Sequence, residues 1–183
     1  MIEDKVKWNK KYLESPMPDT SAKIIEKYIN NAKVGQALDI ACGMGRNTHF
    51  LAEKGFLVDA VDFSDYALGQ IKNSAMISKI EVDLDKYTIT PKKYDLIINM
   101  NYLNRRLLSQ MKDGLKEGGV LIFETFMLAH GDYNHETMNL DYLLRKNELL
   151  HAFIGLDILY YEEKDDVNLR GEKVRIASLV AKK

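Results

Sequence analysis

Leu38-Asp39-Ile40-Ala41-Cys42-Gly43-Met44-Gly45-Arg46-Asn47 passes from a strand into a helix through two glycines, and this turn sets the fold. Residues 37–41 form a short apolar strand, and residues 46–54 return to helical spacing, ended by Gly55 just past the helix. A strand–turn–helix unit of this kind belongs to open α/β sheets, where ligands bind at the carboxyl edge of the strands. Gly43 and Gly45 permit backbone conformations and a close approach that larger residues deny. Glycine is also common in strand-to-helix turns, so the loop alone leaves both a binding and a purely structural role open.

Outward from this turn the apolar period keeps switching. Residues 3–14 read as a helix outside the main sheet, halted by the paired prolines of Ser15-Pro16-Met17-Pro18, which give a hinge. Residues 56–61, 79–82, 94–100 and 120–126 read as further strands. Ser64 is a candidate N-cap for a helix whose Leu68, Ile71 and Ala75 share one face. Leu103, Leu107, Leu108, Met111 and Leu115 mark another helix, and residues 139–150 a last one. Ile154, Leu156, Ile158 and Tyr160 alternate, as do Val174, Ile176, Ser178 and Val180, around a polar turn at 165–171. The expected architecture is an α/β doubly wound, mostly parallel seven-stranded sheet with a C-terminal antiparallel β-hairpin. The dinucleotide-binding version has a sixth parallel strand in place of that hairpin.

A chain of 183 residues is the size of one domain and long enough to bury a core unaided. Twenty-six basic against twenty-seven acidic residues leave a net charge of −1, which argues against binding driven by nucleic-acid phosphates. The single cysteine, Cys42, excludes an intramolecular disulfide. The amino terminus lacks the order of a secretory signal, and the apolar run 120–123 is far too short to span a bilayer. A cytoplasmic protein with no membrane partner is the expectation.

Spacing sharpens the loop. Asp62 closes the second strand nineteen residues after Gly43, where a carboxylate can accept from both hydroxyls of a ribose. Asp83 closes the third strand, where it can accept from an adenine amino group; acidic residues are also common in such turns. A nicotinamide dinucleotide fits the same layout, but its fingerprint wants a third glycine where this chain has Thr48.

These segments together resemble class I S-adenosylmethionine-dependent methyltransferases. The first family motif is similar to Leu38 through Gly45, with Ala41 in place of the usual first glycine, and the fourth to Tyr94-Asp95-Leu96-Ile97-Ile98-Asn99. The strand that follows resembles residues 115–123. Within the family, Gly45-Arg46-Asn47 and the small size look like the tellurite-resistance methyltransferase subgroup, as does the leading segment Trp8-Asn9-Lys10-Lys11-Tyr12. The resemblance implies a Rossmann-like fold and S-adenosyl-L-methionine as cofactor. It implies cofactor contacts from Asp39, Ala41, Gly43, Gly45, Asp62, Phe63, Asp83, Leu84 and Asn99, with Asp39 toward the methionine amino group. It also implies two parts, an N-terminal lid helix over 1–15 and a methyltransferase domain over 16–183.

Methyl transfer from a sulfonium is an in-line displacement in which positioning does much of the work. A proton-bearing oxygen or nitrogen acceptor needs a base, most often histidine, whereas a soft chalcogen anion needs none. His130 and His135, in the loop after the fifth strand, are the candidate catalytic side chains, and solvated loop residues on the plainer reading. His49 and His151 look structural, with His151 opening the last strand region. Tyr102, Arg105 and Arg106 are candidates to hold an anionic acceptor, guanidinium being well matched to oxyanions; a solvated helix face is the alternative. No cysteine or histidine spacing suggests a metal. The expected function is methyl transfer to a small-molecule acceptor, a soft chalcogen anion among the candidates. A non-catalytic S-adenosylmethionine-binding protein and an NAD(P)-dependent reductase stand as alternatives.

Overall fold

The computed structural model describes residues 2–128, 139–168 and 171–183, with side chains from Lys5 onward. The chain runs α1 (Ile2–Glu14), α2 (Lys23–Tyr28), β1 (Gln36–Ile40), α3 (Arg46–Glu53), β2 (Leu57–Asp62), α4 (Asp65–Gln70) and β3 (Ile77–Glu81). It continues through β4 (Tyr94–Met100), α5 (Arg105–Gly114), β5 (Leu115–Phe126), α6 (Glu148–Phe153), β6 (Asp157–Val167) and β7 (Lys173–Lys182). One seven-stranded sheet orders them β3-β2-β1-β4-β5-β7-β6. Strands β1 to β5 pair in parallel, and β7 enters antiparallel between β5 and β6.

Central strands are apolar on both sides because helices cover both faces. Leu38, Ile40, Ile97, Leu121, Phe123 and Leu179 pack on one face with Leu107 and Met111 of α5 and Phe153 of α6. Ala37, Leu96, Ile98, Ile122 and Val180 pack on the other with Ile24 and Ile25 of α2 and Leu51 of α3. The sheet order reverses between β1 and β4, so the connections diverge there and leave a crevice at their carboxyl ends.

Several expected boundaries shift. The helix after Ser64 stops at Gln70, and Ile71 turns extended (φ −67°, ψ 125°). The reason is packing: a Cβ placed on Gly45 would lie 2.6 Å from Ile71 Cγ1, so Ile71 fills the space under the glycine turn. The stretch 139–150 is divided into a 3₁₀ turn at Leu140–Tyr142 and α6, because Leu144 pairs with Met127 between them. His151 consequently sits on α6, Ile154 is 70% exposed, and β6 begins only at Asp157. The ladder between β6 and β7 also slips between Ile158 and Tyr160, so one uninterrupted alternation does not hold.

Candidate cofactor and acceptor site

The turn after β1 has three left-handed residues in five: Ala41 (φ 54°), Gly43 (φ 56°) and Gly45 (φ 84°). Only glycine takes this region without strain, so Ala41 is held there by its surroundings. A Cβ on Gly43 would meet Met17 Sδ at 2.6 Å and Tyr12 Oη at 2.9 Å. The leading segment therefore lies directly against the loop.

Asp62, at the end of β2, fastens that loop. Its Oδ2 accepts from the Gly43 N–H at 2.8 Å and its Oδ1 from the Ser64 N–H at 2.8 Å. The side chain is buried, which pushes its carboxyl upward against the opposing pull of those N–H groups. Ser64 caps α4 by accepting from the Ala67 N–H at 3.0 Å. Its hydroxyl donates in turn to Asn9 Oδ1 at 2.5 Å, while Asn9 Nδ2 donates to Asp65 at 2.8 Å. Lys5 pairs with Asp65 at 3.1 Å and Glu81 at 2.5 Å, so α1 is docked over α4 and the end of β3. Burial and the charge of Asp62 hold the Tyr12 hydroxyl well above the ordinary tyrosine range. Trp8 stacks 6.0 Å from the Tyr12 ring with Lys11 Nζ 4.3 Å over its own ring.

Asp39 lies beneath the loop, 1% exposed, and accepts from Thr48 Oγ1 at 2.6 Å. Burial raises its carboxyl to about 7; Asp62 adds to the shift, whereas Thr48 and Arg46 oppose it. Thr48 thus has a positive role where the dinucleotide fingerprint has glycine. Its spacing from Asp39 was visible in the sequence, but the bond closes only when α3 folds back on β1. Arg46 opens α3, reaches Thr20 O with Nη1 at 3.4 Å, and lies in the field of Asp39 and Glu124. Asn47 accepts the Ala22 N–H at 2.9 Å, holding the start of α2 against the same turn.

On the other side of the crevice, Asp83 accepts from the Asp85 N–H at 3.0 Å and pairs with Lys86 at 3.4 Å. The adjoining Leu84 is buried, and its carbonyl accepts from Arg106 Nη2 at 2.8 Å. Arg106 also donates to Tyr87 O, so it braces the loop after β3 from behind. Arg105 makes a two-pronged pair with Glu148, at 2.6 and 3.0 Å, and donates to the carbonyls of Asp141 and Leu143. Both guanidinium groups therefore face partners within the chain. Sequence reading missed this because those partners lie 19 to 43 residues away. Tyr102 is partly buried, which raises its hydroxyl to about 12, and its Oη accepts from Asn104 Nδ2 at 3.4 Å. Phe63 is half-buried beside Asp62.

Asn99, at the end of β4, is fully buried and donates from Nδ2 to Tyr102 O at 2.6 Å. Among the described residues its Oδ1 and the Nε of Arg46 are buried polar atoms without a hydrogen-bond partner. One is an acceptor and the other a donor.

His130 and His135 lie outside the described residues. His49 accepts from the Lys72 N–H at 3.4 Å, and His151 is exposed on α6. Burial raises the Cys42 thiol and so disfavours the thiolate. Among the described residues no group of acidic, histidine or cysteine side chains is arranged to hold a metal, and no helix is long and apolar enough to cross a membrane.

Residues 1–175 match the family of tellurite resistance protein TehB. The chain belongs to the TehB family. It is 24% identical over 174 residues to the probable S-adenosyl-L-methionine-dependent methyltransferase TehB of Haemophilus influenzae, covering 86% of this chain and 59% of that protein. It is 26% identical over 132 residues to a ubiquinone biosynthesis O-methyltransferase of Nitrosomonas europaea, covering 66% and 56%. The crystal structure of TehB from Haemophilus influenzae superposes with a TM-score of 0.76 at 20% identity, over 94% of this chain and 65% of that one. The chain thus spans a little over half the length of these two curated relatives. The fold is that of Rossmann-like methyltransferases, with the antiparallel β5-β7-β6 edge expected from the hairpin. S-adenosylmethionine is the family's cofactor; this edge presents two left-handed glycines, Asp62 at the end of β2, Asp83 two residues past β3 and, among the described residues, one buried donor and one buried acceptor without a partner.

Proposed function

We propose that this chain transfers a methyl group from S-adenosylmethionine to a small-molecule acceptor. The observation that carries this reading is the glycine turn hydrogen-bonded to Asp62, a closed loop aimed at the reversal point of the sheet. Thr48 argues against a nicotinamide dinucleotide, because its side chain is fully buried and committed to Asp39.

Bound there, the cofactor supplies a methyl group on a positively charged sulfur. Asp62 holds the ribose end with the acceptor capacity left on its carboxylate, and Asp83 with Leu84 forms the adenine wall, steadied by Arg106. The carboxylates of Asp62 and Asp83 then sit away from the sulfur, where a fixed negative charge would favour the ground state over the transition state. Phe63 and Ala41 line the approach. Residues 1–15 act as a lid, since Tyr12 lies on the loop and Lys5 with Asn9 anchors α1 beside it.

The acceptor enters from the β4 and β5 side, past Tyr102. A soft chalcogen anion is the reading we favour, because such an acceptor needs orientation and exclusion of water but no base. Since Arg105 and Arg106 are held by internal partners, they shape this side of the site and leave Tyr102 as the described side chain for the acceptor contact, with His130 and His135 to be tested by substitution. Radiolabelled methyl transfer to a panel of thiols, selenides, amines and phenols tests this. Label should enter only the soft nucleophiles. Label in amines or phenols, lost in His130→Ala or His135→Ala, would replace that reading with base-assisted transfer, and no transfer to any acceptor would favour a binding protein.

A further inference from the structure

We infer that Asn104 is a positioning residue that makes Tyr102 a hydrogen-bond donor to the methyl acceptor. Its amide donates to the phenol oxygen, which leaves the phenol hydrogen for a lone pair on the reacting atom of a thiolate or selenolate. On the methyl-transfer reading above, on which this rests, the acceptor must then present a lone pair and not an N–H.

The orientation of Asn104 is fixed from both ends. As N-cap of α5 its Oδ1 accepts the Arg106 N–H at 3.1 Å. Its Nδ2 faces three oxygens: Asp85 Oδ1 at 2.8 Å, Leu84 O at 3.4 Å and Tyr102 Oη at 3.4 Å. Turning the amide over would set its oxygen against a carboxylate and a carbonyl, and its N–H groups against a backbone N–H. An amide nitrogen accepts nothing, so Tyr102 is the acceptor in this contact and its own hydrogen is not used there. Among the described residues no other group takes that hydrogen.

Tyr102 is held at the crevice. Its carbonyl accepts from Asn99 Nδ2 at 2.6 Å, which ties it to the end of β4, and its ring packs on the core beside Leu103 and Leu107. Asp85, Tyr142 and Asp62 all act on the hydroxyl, so it stands between the loop after β3, the turn at Leu140–Tyr142 and the acid of β2. Burial raises it to about 12, so it keeps its proton. Arg105 and Arg106 are spent on Glu148 and on backbone carbonyls, which leaves the hydroxyl to meet an anion. Asp62 and Asp85 oppose an anion there, and the positive charge of the bound cofactor offsets them.

In the transfer a chalcogen lone pair forms the new bond to the methyl carbon as the carbon–sulfur bond breaks and its electron pair stays on sulfur. No proton moves, and Tyr102 keeps its own. A phenol donor orients such an anion; it cannot orient an ammonium, which has no lone pair to receive it. Because the chalcogen loses charge as the bond forms, this hydrogen bond weakens toward the transition state, and it belongs in KM more than in kcat.

The test uses thiophenolate as acceptor with saturating S-adenosylmethionine. Tyr102→Phe should raise KM roughly tenfold to a hundredfold, the range for a bond to a charged group, while kcat holds or rises. Asn104→Asp combined with Asp85→Asn exchanges donor and acceptor between those two side chains and keeps their contact. That pair should raise KM as Tyr102→Phe does, because a carboxylate now takes the phenol hydrogen, and adding Tyr102→Phe to it should cost nothing further. Calorimetry of thiophenolate into protein loaded with sinefungin, an unreactive analogue with an ammonium in place of the sulfonium, should show the same losses without turnover. Sinefungin itself should bind every variant as it binds wild type. A wild-type KM in Tyr102→Phe overturns the inference whether or not the exchanged pair folds, as does a wild-type preference for benzylamine over thiophenolate. Losses that add between the pair and Tyr102→Phe, or a sinefungin affinity that falls in step, would reduce Asn104 to a helix cap and loop brace. Wild type that binds sinefungin but methylates neither thiophenolate, selenide nor benzylamine would instead remove the methyl-transfer reading.

Discussion

Asp62 carries two obligations at one residue. It accepts two backbone N–H groups, and on the proposed reading its remaining lone pairs take the ligand's ribose. Asp62→Ala should therefore cost stability as well as cofactor affinity, about 1–3 kcal/mol for the N–H groups left buried. Asp62→Asn should keep part of that stability. Urea unfolding of the two variants reads this, and an Ala variant as stable as wild type would mean the loop holds itself. Ala41 argues the opposite way. At φ 54° its methyl group is strained where family members have glycine, so Ala41→Gly should gain about 0.5–1 kcal/mol after the entropy glycine adds to the unfolded chain. A lowered unfolding midpoint would show that the methyl contributes packing that outweighs the strain. Asp39 gives a pH dependence. Its carboxyl stands at about 7 in the folded chain against an ordinary 3.8, so the folded state binds more protons between those values and Asp39 weakens stability as pH rises through them. A cationic ligand end beside it favours the ionised form. Affinity for S-adenosylhomocysteine should thus rise with pH across that window, with proton release on binding near pH 6, and Asp39→Asn should flatten the dependence. Calorimetry in buffers of different ionisation enthalpy measures the release; none at pH 6 would place Asp39 out of the ligand's reach.

Among the elements, α1 is the one for which we propose a role beyond packing, that of a lid. It is held by polar contacts from Lys5 and Asn9 and reaches the glycine turn through Tyr12, and past the hinge Met17 lies on the same turn. As a lid, the role proposed for it, such a segment would leave and return, and its exposed polar anchors suit that. Deleting residues 1–15 should spare folding and lower turnover several-fold, and unchanged turnover would reduce α1 to a surface helix. Element by element, the sequence was most legible where signals are local. The strand at 94–100, the helix start at Ser64 and the stop before Pro16 follow from adjacent residues. It was least legible where a distant neighbour intervenes. Ile71 leaves its helix to fill the space under Gly45, and Leu144 leaves a helical pattern to pair with Met127. Arg105 and Arg106 carry the same lesson into the site, since an exposed basic pair at a helix start gives no sign of carbonyl partners elsewhere in the chain.

At the scale of the molecule, sheet order joins these pieces. Placing β1 beside β4 creates the crevice, and inserting β7 between β5 and β6 ends the sheet in an antiparallel edge. The antiparallel hairpin was readable because period-two alternation at the C-terminus differs so sharply from the strand–helix repeats before it, whereas the insertion of β7 beside β5 was not. Asp62, Asp83 and the glycine turn were readable as spacing and Asn99 through the family resemblance, while the bond from Thr48 to Asp39 and the two orphaned atoms appear only in three dimensions. The central claim is that this row is a cofactor cradle of one kind. Isothermal calorimetry of the full chain with S-adenosylmethionine, S-adenosylhomocysteine and NADH tests it most directly. Both sulfur ligands should bind with one site per chain and NADH should not, whereas binding of NADH, or of none of the three by a demonstrably folded protein, would contradict it.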